Sequence, residues 1–106
     1  MVLIETHVFS KAVQQVMSDE EYRKLQSALV VRPDLGDVIP GSGGLGKFRW
    51  PVPGHGKRGG ARVIYYWAVS LSEIYLLLAY TKTEQEDLTP RQLRLLRQIV
   101  ERWKDG

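Results

Sequence analysis

A small α+β domain is what this sequence predicts, and three observations carry that reading. Apolar residues recur at helical spacing near the start of the chain and again at its end. Between those stretches lie runs rich in Val, Ile, Tyr and Trp, bounded by glycine, proline and serine, which read as strands. The links between the strands are short, so consecutive strands are expected to pair antiparallel, with the helices covering one face. At 106 residues there is length for one independent core and not for two, so a single domain over residues 1–106 is expected.

Taken in order, Val2 to Val8 is a short apolar run with β-branched members, predicted as a strand in which His7 is structural. From Phe9, apolar residues return at Val13, Val16 and Met17, which is helical spacing. Ser18-Asp19-Glu20-Glu21 forms a capping box, and its three acids suit the positive end of a helix dipole. The helix that follows buries Tyr22, Leu25 and Leu29 and stops near Arg32, because Pro33 disfavours helix before it. Together these make a helical hairpin.

Leu35 to Pro40 reads as a connector into a glycine-rich loop. Lys47-Phe48-Arg49-Trp50 alternates polar and apolar, placing Phe48 and Trp50 toward the core and Lys47 and Arg49 together on the other side. Pro51, Pro53 and the glycines from Gly54 to Gly60 make a hairpin loop. Arg62 to Val69 and Glu73 to Thr81 are the next strands, joined tightly through Ser70 to Ser72. Thr89 caps a final helix with Pro90 at its first position, and Leu93, Leu96, Val100 and Trp103 line its buried face.

Composition narrows the function. Apolar content of 43% is ordinary for a globular protein. With no cysteine, neither a disulfide framework nor a thiolate metal site is possible. The N-terminal stretch has no basic start and carries Glu5 and His7 inside its apolar part, unlike a signal peptide. The longest apolar run, Ile74 to Tyr80, is far too short to span a bilayer. A soluble, cytoplasmic protein without membrane contact is the expectation.

Charge is unevenly placed. Between Asp37 and Glu73 there is no acid, while Lys47, Arg49, Lys57, Arg58 and Arg62 give that window +5 in a chain of net +3. Eight of the ten glycines also fall between Gly41 and Tyr66. Cations on glycine-rich backbone suit a polyanion that approaches closely. Arg91, Arg94 and Arg97 add a basic stripe to the final helix, able to meet RNA or an acidic protein segment.

Two motifs in this window mislead. Gly41 to Lys47 matches the phosphate-binding pattern G-x-x-x-x-G-K, but Phe48 stands where a Ser or Thr must hold magnesium, and a strand follows instead of a helix. Gly54-His55-Gly56-Lys57-Arg58-Gly59 matches the dinucleotide fingerprint, yet it opens the strand Val63-Ile64-Tyr65-Tyr66 where that fold needs a helix.

The segments GDVIPGSGGLGKFRW, GKRGGARVIYYW and IYLLLAYTKTEQEDLTPRQ resemble the RelE superfamily of bacterial toxins, nearest its HigB-type branch, from about Asp19 to the C-terminus. That resemblance implies a compact RelE-like domain with an antiparallel sheet, an N-terminal helical hairpin and a C-terminal helix. It further implies the toxin of a type II toxin–antitoxin pair, monomeric when free. Such a toxin enters the ribosomal A site, cuts mRNA there, and is blocked by a cognate antitoxin. By the same resemblance Lys47 and Arg49 hold the basic-strand positions, Arg62 the phosphate clamp, and Lys82 a basic position near the end of the last strand. Lys57 and Arg58 lie on the loop above, with His55 as a candidate for acid–base work and Tyr80 as a stand-in for the superfamily's C-terminal tyrosine or a packing residue.

The implied chemistry suits these residue types. Metal-free RNA cleavage uses the 2′-hydroxyl as nucleophile and leaves a cyclic phosphate. It requires a proton acceptor, a donor to the leaving oxygen, and cations for the phosphorane charge. No metal or cofactor is expected. Two positions depart from the pattern: Gly46 stands where the branch usually has a basic residue, and no tyrosine occurs among Gln85 to Thr89. The competing reading is a non-catalytic RNA-, ribosome- or antitoxin-binding member of the same fold. A stand-alone DNA-binding protein is disfavoured because no helix-turn-helix recognition helix is evident.

Overall fold

The chain opens with β1 (Val2–Glu5), runs through the hairpin α1 (His7–Val16) and α2 (Asp19–Val31), then lays down β2 (Asp37–Val38), β3 (Leu45–Trp50), β4 (Ala61–Ala68) and β5 (Glu73–Thr81) before α3 (Pro90–Asp105). This computed structural model describes residues 1–52 and 60–105. The five strands form one sheet in the order β1-β5-β4-β3-β2. The expected α+β domain is present, and β3, β4 and β5 pair antiparallel as anticipated. β1 instead joins β5 in parallel, Val2 opposite Glu73 and Glu5 opposite Leu76, so the sheet is mixed. A parallel neighbour requires a long crossover, which the intervening helices and strands supply. The connector from Leu35 to Pro40 also gains the two-residue strand β2, paired with Gly46 and Lys47.

The predicted strand Val2 to Val8 is cut short at Glu5. Thr6 takes extended backbone, and its side-chain oxygen accepts from the Phe9 amide at 3.1 Å, so helix begins at His7, which is exposed. An N-cap inside the apolar run thus overrides its β-character. The Ser18 cap forms as read, its oxygen accepting from the Glu21 amide at 3.2 Å, and α2 ends before Arg32. Glu5 fastens both helices to β1 by accepting from the Ser10 and Tyr22 hydroxyls. Burial and that carboxylate push the Tyr22 phenol far above its ordinary value.

Helices cover both faces of the sheet, not one. On one side Phe9, Val13, Val16, Leu25 and Leu29 pack against Phe48, Val63, Tyr65, Ile74 and Leu76. On the other, Leu93, Leu96, Val100 and Trp103 of α3 pack on Leu45, Ile64, Leu77 and Tyr80. Trp103 stacks on Tyr75 with ring centroids 4.0 Å apart. The physical reason is that β4 and β5 are apolar on both faces: Val63, Ile64 and Tyr65 are all buried, as are Leu76 and Leu77. Leaving either side bare would forfeit about 1.5–3 kcal/mol for each large apolar side chain. Continuous apolar runs, rather than alternation, were the available signal for this.

Candidate functional site

The two apolar faces differ in how far the apolar surface extends. On the α3 side it gives way, toward the Trp50 end of β3, to a row of polar residues. Arg49 stands directly opposite Arg62 across β3 and β4, and Arg62 directly opposite Tyr80 across β4 and β5. Residues opposite one another share a face, and Lys47, two positions from Arg49, shares it too. The expectation that Lys47 and Arg49 lie together on one side of the sheet is met, and Arg62 joins them there. Like charges directly opposite each other destabilise a sheet. An anion lying between Arg49 and Arg62 would reverse the sign of that term.

Polar satisfaction is incomplete in this row. Tyr80 is only 2% exposed, and neither its hydroxyl nor the buried Arg62 Nη1 has a hydrogen-bond partner among the described residues. A buried, unsatisfied polar atom costs roughly 1–3 kcal/mol, so two in one cross-strand pair call for a compensating role. Burial, and to a smaller extent Asp87, push the Tyr80 phenol above its ordinary value, against an opposing pull from Arg62. At neutral pH it is therefore a neutral hydroxyl, suited to donating a hydrogen bond and not to accepting a proton as phenolate.

Asp87 completes the cluster, and sequence reasoning passed over it. Its Oδ1 accepts from Lys47 Nζ at 3.3 Å and from the Leu88 amide at 2.8 Å. The Leu88 amide, then Lys47 and Arg62, hold its carboxyl below the ordinary value despite some opposing burial. The start of α3 sets its place. Thr89 and Gln92 form a reciprocal capping box, the Gln92 amide donating to Thr89 Oγ1 at 3.1 Å and the Thr89 amide to Gln92 Oε1 at 3.0 Å. Gln85 Nε2 donates to both Gln92 Oε1 and the Asp87 carbonyl at 2.8 Å, which ties the loop to the helix. The pattern Thr89-x-x-Gln92 was visible in the sequence, and Asp87 lies two residues before it.

The remaining predicted residues divide clearly. Lys82 is exposed in the turn just beyond β5. His55, Lys57 and Arg58 lie outside the described residues. Arg91, Arg94 and Arg97 are exposed on α3. Among the described residues no group of three His, Cys, Asp or Glu is placed to hold a metal ion, and no helix is long and apolar enough to cross a membrane.

Two sequence features resolve into packing. The G-x-x-x-x-G-K match is a tight turn pinned by buried Ser42, whose hydroxyl donates to the Ile39 carbonyl and accepts from the Leu45 amide at 2.9 Å. Gly41, Gly43 and Gly44 there have φ of 72°, 81° and 112°, the left-handed region that glycine alone enters freely. Gly46 pairs with Tyr65 on the side covered by α1 and α2, opposite to Lys47. A Cβ at Gly46 would lie 2.7 Å from Tyr65 Cε1, and one at Gly36 would lie 2.8 Å from the same atom. The Tyr65 ring is held there because its hydroxyl donates to the Pro33 carbonyl at 2.7 Å and accepts from the Gly36 amide at 2.9 Å. An absent basic side chain at Gly46 therefore removes nothing from the cationic face.

No protein-family model matches the chain. Among solved structures it is similar to a chain of the intact E. coli RelBE toxin–antitoxin complex, with a TM-score of 0.59 and 13% identity, over 76% of this chain and 94% of that one. It is also similar to a double arginine-to-alanine mutant of the E. coli toxin RelE in the free state, with a TM-score of 0.54 and 13% identity, over 80% of this chain and 86% of that one. At such identity the likeness is one of fold.

Proposed function

We propose that this protein is the toxin of a type II toxin–antitoxin pair, of HigB-type within the RelE superfamily, and that it cleaves mRNA in the ribosomal A site without a metal. The observation that carries this reading is the row Arg49–Arg62–Tyr80 across three strands, with Lys47 beside it, on a RelE-like fold. In the proposed reaction the 2′-hydroxyl gives its proton to a water molecule and attacks the adjacent phosphorus, the P–O5′ bond breaks to leave a 2′,3′-cyclic phosphate, and the 5′-oxygen takes a proton from water. Arg49 and Arg62 flank the phosphate and balance the charge that grows on its equatorial oxygens. The neutral Tyr80 hydroxyl lies beside Arg62 as a donor, while Lys47 and Lys82 contribute positive charge around the RNA backbone. His55, Lys57 and Arg58 are proposed to extend this contact along the message. A cognate antitoxin is the proposed protein partner, and the free toxin is proposed to be a cytoplasmic monomer.

The alternative is a non-catalytic member of the fold that binds RNA, ribosome or antitoxin. One observation favours it: the Lys47 ammonium is ion-paired with Asp87, which takes up part of the positive charge the cleavage reading needs. Inducible expression in a bacterium lacking the antitoxin, with primer extension on a translated reporter mRNA, separates the two. The enzyme arrests growth and produces cuts inside the translated region that vanish when translation is blocked. Arg49→Ala then abolishes arrest while antitoxin binding persists. Arrest without cuts would leave only the binding reading.

A further inference from the structure

A cleft of about 380 Å³ opens beside the cationic row, and Lys47 lines both. Its walls are apolar, from Ile39 and Pro40 after β2 and from Leu88 and Leu93 at the start of α3. Two carboxylates, Asp37 and Asp87, line it as well. Asp37 stands directly opposite Lys47 across β2 and β3, so it lies on the same side of the sheet as the cations. Asp87 Oδ1 is taken by Lys47 and the Leu88 amide, which leaves Oδ2 as an acceptor among the described residues.

Carboxylates next to a phosphate-binding row repel the RNA backbone, so their complement in an RNA ligand is a base. An apolar slot suits the faces of a nucleobase, and a volume near 380 Å³ falls in the range of small-molecule sites, about 300–1,000 Å³. Carboxylates accept hydrogen bonds and donate none, so they select base edges that carry exocyclic amines. Adenine, cytosine and guanine have such an amine; uracil offers only N3–H, flanked on both sides by carbonyl oxygens that a carboxylate repels. We propose that this cleft is a base subsite, in which Asp37 and Asp87 read an amino-bearing base next to the phosphate held by Lys47, Arg49 and Arg62. The inference rests on the RNA-binding reading of the basic row, and it adds the two residues that set the base preference.

The test is amide NMR on the intact protein titrated with AMP, CMP, GMP and UMP, with inorganic phosphate as a control. Phosphate alone is expected to shift Lys47, Arg49 and Arg62. The three amino-bearing nucleotides are expected to shift Val38, Ile39 and Leu88 as well, and to bind about fivefold more tightly than UMP, the lower end of what one base-reading pair supplies. Asp37→Asn and Asp87→Asn, each with unchanged thermal unfolding, should bring that preference toward unity while phosphate binding stays or tightens. Shifts confined to the basic row for all four nucleotides would overturn the base subsite and leave the RNA-binding reading standing. UMP binding as well as the others in the same cleft would overturn the role of the carboxylates. Absence of shifts with any ligand, phosphate included, would overturn the subsite together with the reading on which it rests.

Discussion

Tyr65 and Tyr80 are both buried tyrosines of the same sheet, one on each face, and they are treated in opposite ways. Tyr65, among the α1 and α2 side chains, has its hydroxyl bonded on both sides, to Pro33 and Gly36, and its ring seated on two glycines. Tyr80, under α3, keeps an unpartnered hydroxyl next to an unpartnered guanidinium nitrogen. The first face is specified by packing, and its own unpartnered polar atoms, the Trp50 and Trp67 indole nitrogens, are scattered and not joined in one cross-strand pair. The second ends in the Tyr80 hydroxyl and Arg62 Nη1, two buried polar atoms side by side across β4 and β5 whose desolvation costs stability when nothing meets them. Natural sequences accept such costs where a site must meet a partner.

The sharpest way to break this contrast is to overload the packed face. Gly46→Arg places its first side-chain carbon against a ring held at its far end, and overpacking of that kind costs about 3 kcal/mol. Urea unfolding is expected to show that loss, and a stable Gly46→Arg variant would mean that the Tyr65 latch is absent. Next in size is the hydroxyl comparison. Tyr65→Phe strands the Gly36 amide and the Pro33 carbonyl and should cost about 1.5 kcal/mol. Tyr80→Phe removes an unsatisfied group and should leave stability unchanged or raised in the same unfolding measurement. Equal losses for the two variants would erase the distinction drawn between the faces.

Smaller effects concern how α3 presents the charged face. Thr89→Ala removes the cap that sets the start of α3 and should cost about 1 kcal/mol in thermal unfolding. The smallest concerns Asp87, whose folded carboxyl lies below the ordinary value of 3.8 because of the Leu88 amide, Lys47 and Arg62. A depressed folded value stabilises above the unfolded value, and the contribution is lost as pH falls through the folded one. The side chain is 64% exposed, so after solvent screening the contribution is about 0.5 kcal/mol. Wild type should therefore exceed Asp87→Asn by that margin at neutral pH, and the gap should close progressively as pH falls below 3.8 in paired unfolding curves.

Much of the architecture was legible one residue at a time. Ser18 and Thr89 announce their helices, Pro33 and Pro90 bound them, and Lys47-Phe48-Arg49-Trp50 shows its two faces by alternation alone. The sharing of one face by Lys47 and Arg49 followed from period two, and Arg62 joins them through the antiparallel register of β3 with β4. Thr6 was missed because its cap competes with an apolar run of strand-like residues, and a cap outweighs propensity once Phe9 has a core to enter.

What local sequence settles here is whatever depends on neighbours within about four residues: caps, turns, periodicity, and the glycines that Ser42 needs for its turn. What had to wait for the folded chain depends on partners far apart. Lys47 meets Asp87 forty residues away, Tyr65 meets Pro33 across 32, and β1 finds β5 through a crossover. α3 crosses to the open face because β4 and β5 leave a second apolar surface to cover. Those pairings minimise exposed apolar area and unmet hydrogen bonds over the whole molecule, and no window of a few residues contains that sum.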